Sequence, residues 1–401
     1  MRTAPLAAEQ DKASFARIAA PCGYFGTCGG CALQDLAYDD QLLLKRRRLE
    51  RALATLGSVP PLSLVGLDEP WRYRNKAEFT FGESAGRLTL GYHAAHSFSR
   101  IVDLEDCLLL PAPATALARD ALRLAAETGL PAYHPRTHQG FFRYLLVRAS
   151  HATGRVLLCL MTTPGHRPEV ERIAAALLAR AGVASVYWGT TSRLADVAIP
   201  EELVLLGGEP LLEDRLGPFR LRVHPMSFLQ PSSVQADRIY TAIAQAIGAD
   251  APKVVWDLYC GIGLVSFYLA THAGKVYGID VEPHHLELAQ ANARLNGLDN
   301  LEFRAGQVEA LLRDRRFWLQ EAKPDAIVVD PPRAGLHPQA LASILAARPP
   351  RIAYLSCNAQ SLVRDLQGMC SGFPRYRIAT IQSFDMFPQT NHVETLVVLE
   401  R

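Results

Sequence analysis

From residue 253 onward the chain repeats a pattern that leaves few folds open. The apolar run "KVVWDLY" meets the tight turn "CGIG" and the helical stretch "LVSFYLATHA"; the strand "KVYGID" and the helix "PHHLELAQANARLNG" follow. Short apolar runs alternating with helical stretches are what a doubly wound parallel sheet requires. Pro283 stands near the start of the second helix and Asn296-Gly297 stops it. "AIVVD", "RIAYLSC" and "ETLVVLE" read as further buried strands. The pattern predicts a Rossmann-like α/β domain over residues 229–401.

Upstream the texture changes. Residues 61–228 hold short β-rich segments with turn punctuation, among them "KAEFTFG", "RLTLGYH", "YLLVRAS", "RVLLCLMTT", "ASVYWGT" and "FRLRVHP". The helical stretches "ATALARDALRLAAETG" and "RPEVERIAAALLARAG" interrupt them, so this region is expected to be an α+β domain. Residues 1–60 form a separate N-terminal segment. Its first twenty residues are Ala-rich without clear periodicity, "CGYFGTCGGC" follows, and "LAYDDQLLLKRRRLERALATLG" has helical spacing. The run Lys45 to Arg48 in that helix is either a solvated face or a contact to nucleic-acid phosphate.

The formal net charge of the 401 residues is +2, so any phosphate binding has to come from local patches. No apolar leader opens the chain and no run reaches bilayer length, which leads to the expectation of a cytoplasmic protein without membrane contact. In a reducing compartment Cys22, Cys28 and Cys31 argue for metal binding or catalysis over disulfides.

Four stretches carry chemistry. Gly261 and Gly263 mark a turn where a ligand can approach the backbone, and Asp280 ends the next strand, placed to accept hydrogen bonds from a ribose diol. That suits a nicotinamide dinucleotide or S-adenosylmethionine (SAM); Ser266 stands where the dinucleotide fingerprint has its third glycine, which tilts the reading to SAM. A strand-turn-helix without ligand is the plainer alternative. Asp330, Pro331, Pro332 and Arg333 follow a strand, at the edge where open α/β sheets bind ligands. Cys357 ends the next strand and is either an ordinary buried thiol or a nucleophile; Glu394 precedes an apolar run and either caps it, pairs with a cation or acts as a base. A thiol and a carboxylate around one methyl donor suit methylation of uracil carbon 5. Thiolate addition to carbon 6 makes carbon 5 nucleophilic, and a base then removes the carbon 5 proton.

"DLYCGIG", "DPPRAG", "SCN" and "FPQTNHVE", with "SFLQPSSV" and "WRYRNKAEF" upstream, resemble the RNA uracil-5-methyltransferases, which make 5-methyluridine in rRNA and tRNA. The resemblance runs from Cys22 over nearly the whole chain. It implies a class I SAM methyltransferase domain, Cys357 as nucleophile and Glu394 as base. Gln230, Tyr259, Gly261, Gly263, Asp280 and Asp330 are implied to line the SAM and target-base pocket, with Arg333 near the base or RNA and Cys260 a small packing residue. Two positions depart from the family pattern: Ala359 stands where Pro is usual after "SCN", and Pro231, Ser232 and Ser233 follow Gln230 in place of Asn-Pro.

Spacing alone allows Cys22, Cys28 and Cys31 to close either a zinc or an iron-sulfur site with a fourth thiol. The resemblance implies Cys107 as that ligand and a [4Fe-4S] cluster, a set found in rRNA members. Twenty-one residues precede Cys22, which implies the short subgroup acting on a 23S rRNA loop; tRNA is the alternative substrate. Trp71, Arg72, Tyr73, Arg74 and Lys76 are either RNA contacts or a strand start with solvated charges. The expected partner is RNA and the expected state a monomer. The rival readings are a radical-SAM RNA methylase, a nicotinamide-linked oxidoreductase and a non-catalytic iron-sulfur RNA-binding protein.

Overall fold

A computed structural model of the chain describes residues 11–313 and 323–401, so the first half of the Ala-rich start lies outside the described residues. The alternating C-terminal pattern folds into an eight-stranded sheet of order β1-β16-β17-β15-β14-β11-β12-β13. Its parallel centre is β11 (Val254–Leu258), β12 (Lys275–Asp280), β13 (Leu301–Ala305), β14 (Ala326–Val329) and β15 (Arg351–Ser356). β17 (Glu394–Glu400) inserts antiparallel between β15 and β16 (Arg377–Phe384). The central strands read as unbroken apolar runs because helices cover both faces. One face packs against α4 (Ser233–Gly248) and α5 (Leu264–Ala270), the other against α1 (Tyr38–Leu53), α8 (Pro338–Ala347) and α9 (Ala359–Ser371).

The central region forms a seven-stranded sheet of order β4-β3-β2-β5-β6-β7-β8, antiparallel except for β6 with β7. Its strands are β2 (Lys76–Ser84), β3 (Arg87–His93), β4 (Ile101–Asp103), β5 (Phe142–Ala149), β6 (Val156–Thr162), β7 (Val183–Thr190) and β8 (Glu202–Gly208). α2 (Ala112–Ala126) and α3 (Arg167–Leu178) supply the apolar face that covers it, and the hairpin β9 (Leu212–Leu216) to β10 (Phe219–Val223) leads into α4. α6 (Pro283–Leu295) and the four-residue α7 (Val308–Leu311) complete the helices named here.

Two local findings bear on the site. β1 (Leu62–Val65), counted with the central region in the sequence division, pairs parallel with β16, Leu62 opposite Ile381, and so extends the C-terminal sheet. Ser232, one of the departures after Gln230, is the N-cap of α4: its hydroxyl accepts from the Gln235 N–H, satisfying a donor that the helix itself cannot.

Candidate active site

The register of the last strand sets up the centre. Ser356, at the end of β15, pairs with Thr395, one residue into β17. Cys357 follows Ser356 and Glu394 precedes Thr395, so both lie just beyond that pair; Glu394, opposite Phe384 of β16, is near enough for its charge to raise the Cys357 thiol. Asp330 follows β14 at the same edge, its N–H 3.3 Å from the Leu258 carbonyl.

Asn358 both caps α9, accepting from Gln360 N–H at 3.0 Å, and donates through Nδ2 to the Arg333 carbonyl at 3.0 Å, to which Ser361 Oγ also donates at 3.1 Å. Arg333 Nη2 lies 3.2 Å from His392 Nδ1. The loops after β14, after β15 and before β17 are thereby joined around Cys357, which is half-buried, and Glu394, which is buried.

These groups act on one another electrically. Burial pushes the Cys357 thiol up to about 11; the Glu394 and Asp330 carboxylates add to the rise and the Arg333 guanidinium opposes it. Burial raises Glu394 well above the ordinary range, with Asp330 adding and Arg333 opposing. Asp330 itself is pushed up to about 7 by burial and by the charge of Asp257. Its side chain keeps part of its surface open to the crevice although protein surrounds it. Burial lowers His392, and Arg333 lowers it further, so its neutral ring accepts from Arg333.

The turn after β11 is shaped for close approach. Tyr259, Gly261 and Gly263 all have positive φ, 66°, 54° and 80°. Tyr259 is in a conformation that costs a non-glycine residue about 1 kcal/mol or more and persists only where its surroundings over-determine it. A side chain on Gly263 would meet Phe303 at 2.8 Å, whereas one on Gly261 would point into open space. Asp280 accepts from Gly261 N–H at 2.9 Å and Glu282 N–H at 3.0 Å. Burial pushes its carboxyl up, but these bonds and His285 outweigh it, and Asp280 stays below its ordinary value. Gln230 is buried with Oε1 unpartnered, as is Asp257 Oδ1. Cys260 is buried in the core, as expected of a packing residue.

A family model described as tRNA (uracil-5-)-methyltransferase matches residues 212–401. An uncharacterized RNA methyltransferase of Halalkalibacterium halodurans is 34% identical over 97% of this chain and 85% of its own length. Another, of Clostridium tetani, is 35% identical over 96% of this chain and 84% of its own. The chain belongs to the RNA uracil-5-methyltransferase family. Among solved structures, the Pyrococcus abyssi tRNA (uracil-54, C5)-methyltransferase in complex with S-adenosyl-L-homocysteine superposes with a TM-score of 0.78 at 27% identity, over 96% of this chain and 85% of that one. The eight-stranded domain of this methyltransferase is thus a class I SAM fold, and family membership sets aside the radical-SAM and nicotinamide readings. Among the described residues, no helix is long and apolar enough to cross a membrane.

The cysteine set of the methyltransferase is less complete than the sequence led us to expect. Cys22, Cys28, Cys31 and Cys107 line one cavity of about 50 Å³, together with Gln34, Arg74 and Tyr92. Among the described residues, however, no group of three or more His, Cys, Asp or Glu side chains is arranged to hold a metal ion. Burial raises Cys28 and Cys107 and pushes Cys31 up to about 11, and the thiols raise one another. Tyr92 Oη and Arg74 Nε are buried beside them without a hydrogen-bond partner. Cys159 is buried in β6 and Cys370 half-buried on α9.

Among the basic residues open to an RNA reading, several are paired within the protein and Lys45 turns inward. Lys45 is 1% exposed and pairs at 2.6 Å with Asp385, which is 0% exposed. Arg46 pairs with Glu50 on its own helix, and Arg48 with Asp11. Arg72 pairs with Asp106, Lys76 with Glu78, and Tyr73 Oη donates to the Pro388 carbonyl. Sequence reasoning missed Asp385 and the His392 contact; "FPQTNHVE" contained His392 without saying what it meets.

Proposed function

We propose that the enzyme methylates carbon 5 of a specific uridine in 23S rRNA, acting as a cytoplasmic monomer. The observation that carries the mechanism is that Cys357 and Glu394 flank the Ser356–Thr395 pair of β15 and β17, with Glu394 acting on the thiol and Arg333 and Asp330 acting on both. The Cys357 thiol gives its proton to solvent and the thiolate adds through sulfur to carbon 6 of the uracil ring, while the electron pair of the 5,6 double bond moves toward the carbon 4 carbonyl as an enolate. Arg333 stabilises negative charge at this centre. When bound, SAM would supply an electrophilic methyl group to carbon 5. Glu394, as the carboxylate that Arg333 favours, then takes the carbon 5 proton; the C–H pair re-forms the double bond and the bond from carbon 6 to Cys357 breaks, releasing the thiolate. Addition to the ring face requires the base to leave its stack.

Gln230, Tyr259, Gly261, Gly263, Asp280 and Asp330 would hold SAM. The orphaned Gln230 Oε1 is an acceptor awaiting a donor, Gly261 leaves room beside the backbone, and the Asp280 carboxylate suits a diol. A cavity of about 1050 Å³ between the cysteine segment and the loop after β3, lined by His93, His96, Phe98 and Asn391, is where RNA would rest; Phe98 is 88% exposed, as a base-stacking ring would be.

For the four cysteines, a [4Fe-4S] cluster is the reading we favour. Four cysteines lining one cavity can supply the four thiolates that such a cluster takes, and Arg74 offers a positive charge beside them. Anaerobic purification should give about four iron and four sulfide per chain; stoichiometric zinc instead would overturn it.

The likeness to a tRNA enzyme favours tRNA as the second substrate reading. The decisive experiment offers SAM with 5-fluorouridine-containing 23S rRNA fragments and with tRNA transcripts. A covalent adduct on Cys357 that forms with rRNA and not tRNA supports the proposal. An adduct with tRNA alone transfers it to tRNA, and methylation of ordinary RNA without any adduct refutes the mechanism.

A further inference from the structure

The loop that delivers Glu394, residues 385–393, is gripped at several points from the N-terminal segment. Gln389 is its hub. It is 1% exposed and has a positive φ of 70°, so its conformation needs outside support. Its carbonyl accepts from Ala32 N–H at 2.8 Å and Leu33 N–H at 3.0 Å, the residues directly after Cys31. Its own N–H donates to Gln41 Oε1 at 3.1 Å, and Gln41 Nε2 donates back to Gln389 Oε1 at 2.9 Å. Gln41, 1% exposed on α1, spends its second amide proton on the Leu36 carbonyl at 3.0 Å, which fixes its rotamer. On either side, Lys45 Nζ donates to the Phe387 carbonyl and Tyr73 Oη to the Pro388 carbonyl, each at 3.1 Å. Arg48 Nη1 reaches Asn391 Oδ1 at 2.8 Å.

A buried amide pair that saturates one residue in the left-handed region, five positions before the carboxylate, is more than the loop needs merely to close. We propose that Gln41 is a positioning residue for the base: through its two-way bond with Gln389 it fixes where the loop delivers the Glu394 carboxylate. The segment carrying Cys22, Cys28 and Cys31 grips the same residue through Ala32 and Leu33, so the thiol site and the reaction centre share one mechanical joint. The inference rests on the reading of Glu394 as the base. Because that base acts only after methyl transfer, loosening the joint slows resolution of the covalent intermediate and spares its formation, a signature that general loss of structure does not produce.

The test is rapid-quench single turnover on ordinary uridine RNA with SAM, for the wild type, Gln41→Ala and Gln389→Gly. Glycine suits a positive φ and keeps the backbone bonds to Ala32 and Leu33, so Gln389→Gly decides the matter if Gln41→Ala does not fold. Adduct formation should stay within about threefold of wild type while its decay slows about 10- to 100-fold, so that a denaturant-stable methylated adduct accumulates. The double variant should be no slower than the slower single one, since both remove one interaction. Formation and decay falling together, or neither changing, overturns the inference while leaving the mechanism intact. A wild type that forms no adduct on 5-fluorouridine RNA overturns the mechanism and this inference with it.

Discussion

Replacing Lys45 by methionine removes one half of an ion pair that has no water to fall back on. Lys45 Nζ lies 2.6 Å from Asp385 Oδ1, with the two side chains 1% and 0% exposed. In Lys45→Met the thioether fills most of the lysine stem's volume, so the cavity term is small. Asp385 keeps only the Tyr38 hydroxyl, 3.0 Å from Oδ2, as a side-chain partner. Breaking a buried pair from one side costs about 3–5 kcal/mol, and the lost bond to the Phe387 carbonyl adds about 1 kcal/mol. Urea unfolding followed by circular dichroism at pH 7.5 measures the loss. The variant should lose about 4 kcal/mol, and Asp385→Asn in the same chain should recover much of it. A loss below about 1 kcal/mol at pH 7.5 would mean that the pair is hydrated or dispensable.

Adduct formation on 5-fluorouridine RNA should accelerate about tenfold per pH unit between pH 7 and 9, because the Cys357 thiol, pushed up to about 11, is mostly protonated there; a flat profile contradicts this. Binding of cationic SAM should draw Asp330 down from about 7 and release protons near neutral pH. Calorimetry in buffers of different ionisation enthalpy should show tighter binding at pH 8 than at pH 6, and proton uptake would count against Asp330 in the pocket. The two turn glycines should separate. Gly263→Ala, with its Cβ 2.8 Å from Phe303, should lose roughly 1–3 kcal/mol of stability. Gly261→Ala, strained only by its φ of 54°, should lose about 1 kcal/mol but bind SAM more weakly, and equal behaviour of the pair in both assays would refute the distinction.

The parts legible in the sequence were those whose environment is uniform. β11, β14 and β15 are covered on both faces, so each leaves an unbroken apolar run, and Pro283 and Asn296 bracket α6 by local rules alone. β1 was not legible: "LSLV" is four residues long and its partner, Ile381 to Phe384, lies at the far end of the chain. Within the Lys45 to Arg48 run Lys45 was hidden for a related reason. Charge at helical spacing signals a wet face, which Arg46 and Arg47 keep, and only the distant Asp385 turns Lys45 into the core. Cys357 and Glu394 stood out by type and position, but their approach to one another is a product of the antiparallel insertion of β17, which no local pattern records.

That insertion dictates the order in which the enzyme can become an enzyme. β17 follows every other strand of its sheet in the chain, yet it occupies the interior, with β15 on one side and β16 on the other. During synthesis the earlier strands must wait with a gap between them, and β1, made long before, cannot dock until β16 exists. The carboxylate that completes the reaction centre arrives on the strand that fills the gap, so a nascent chain holds the cysteine without its counterpart until the sheet is whole.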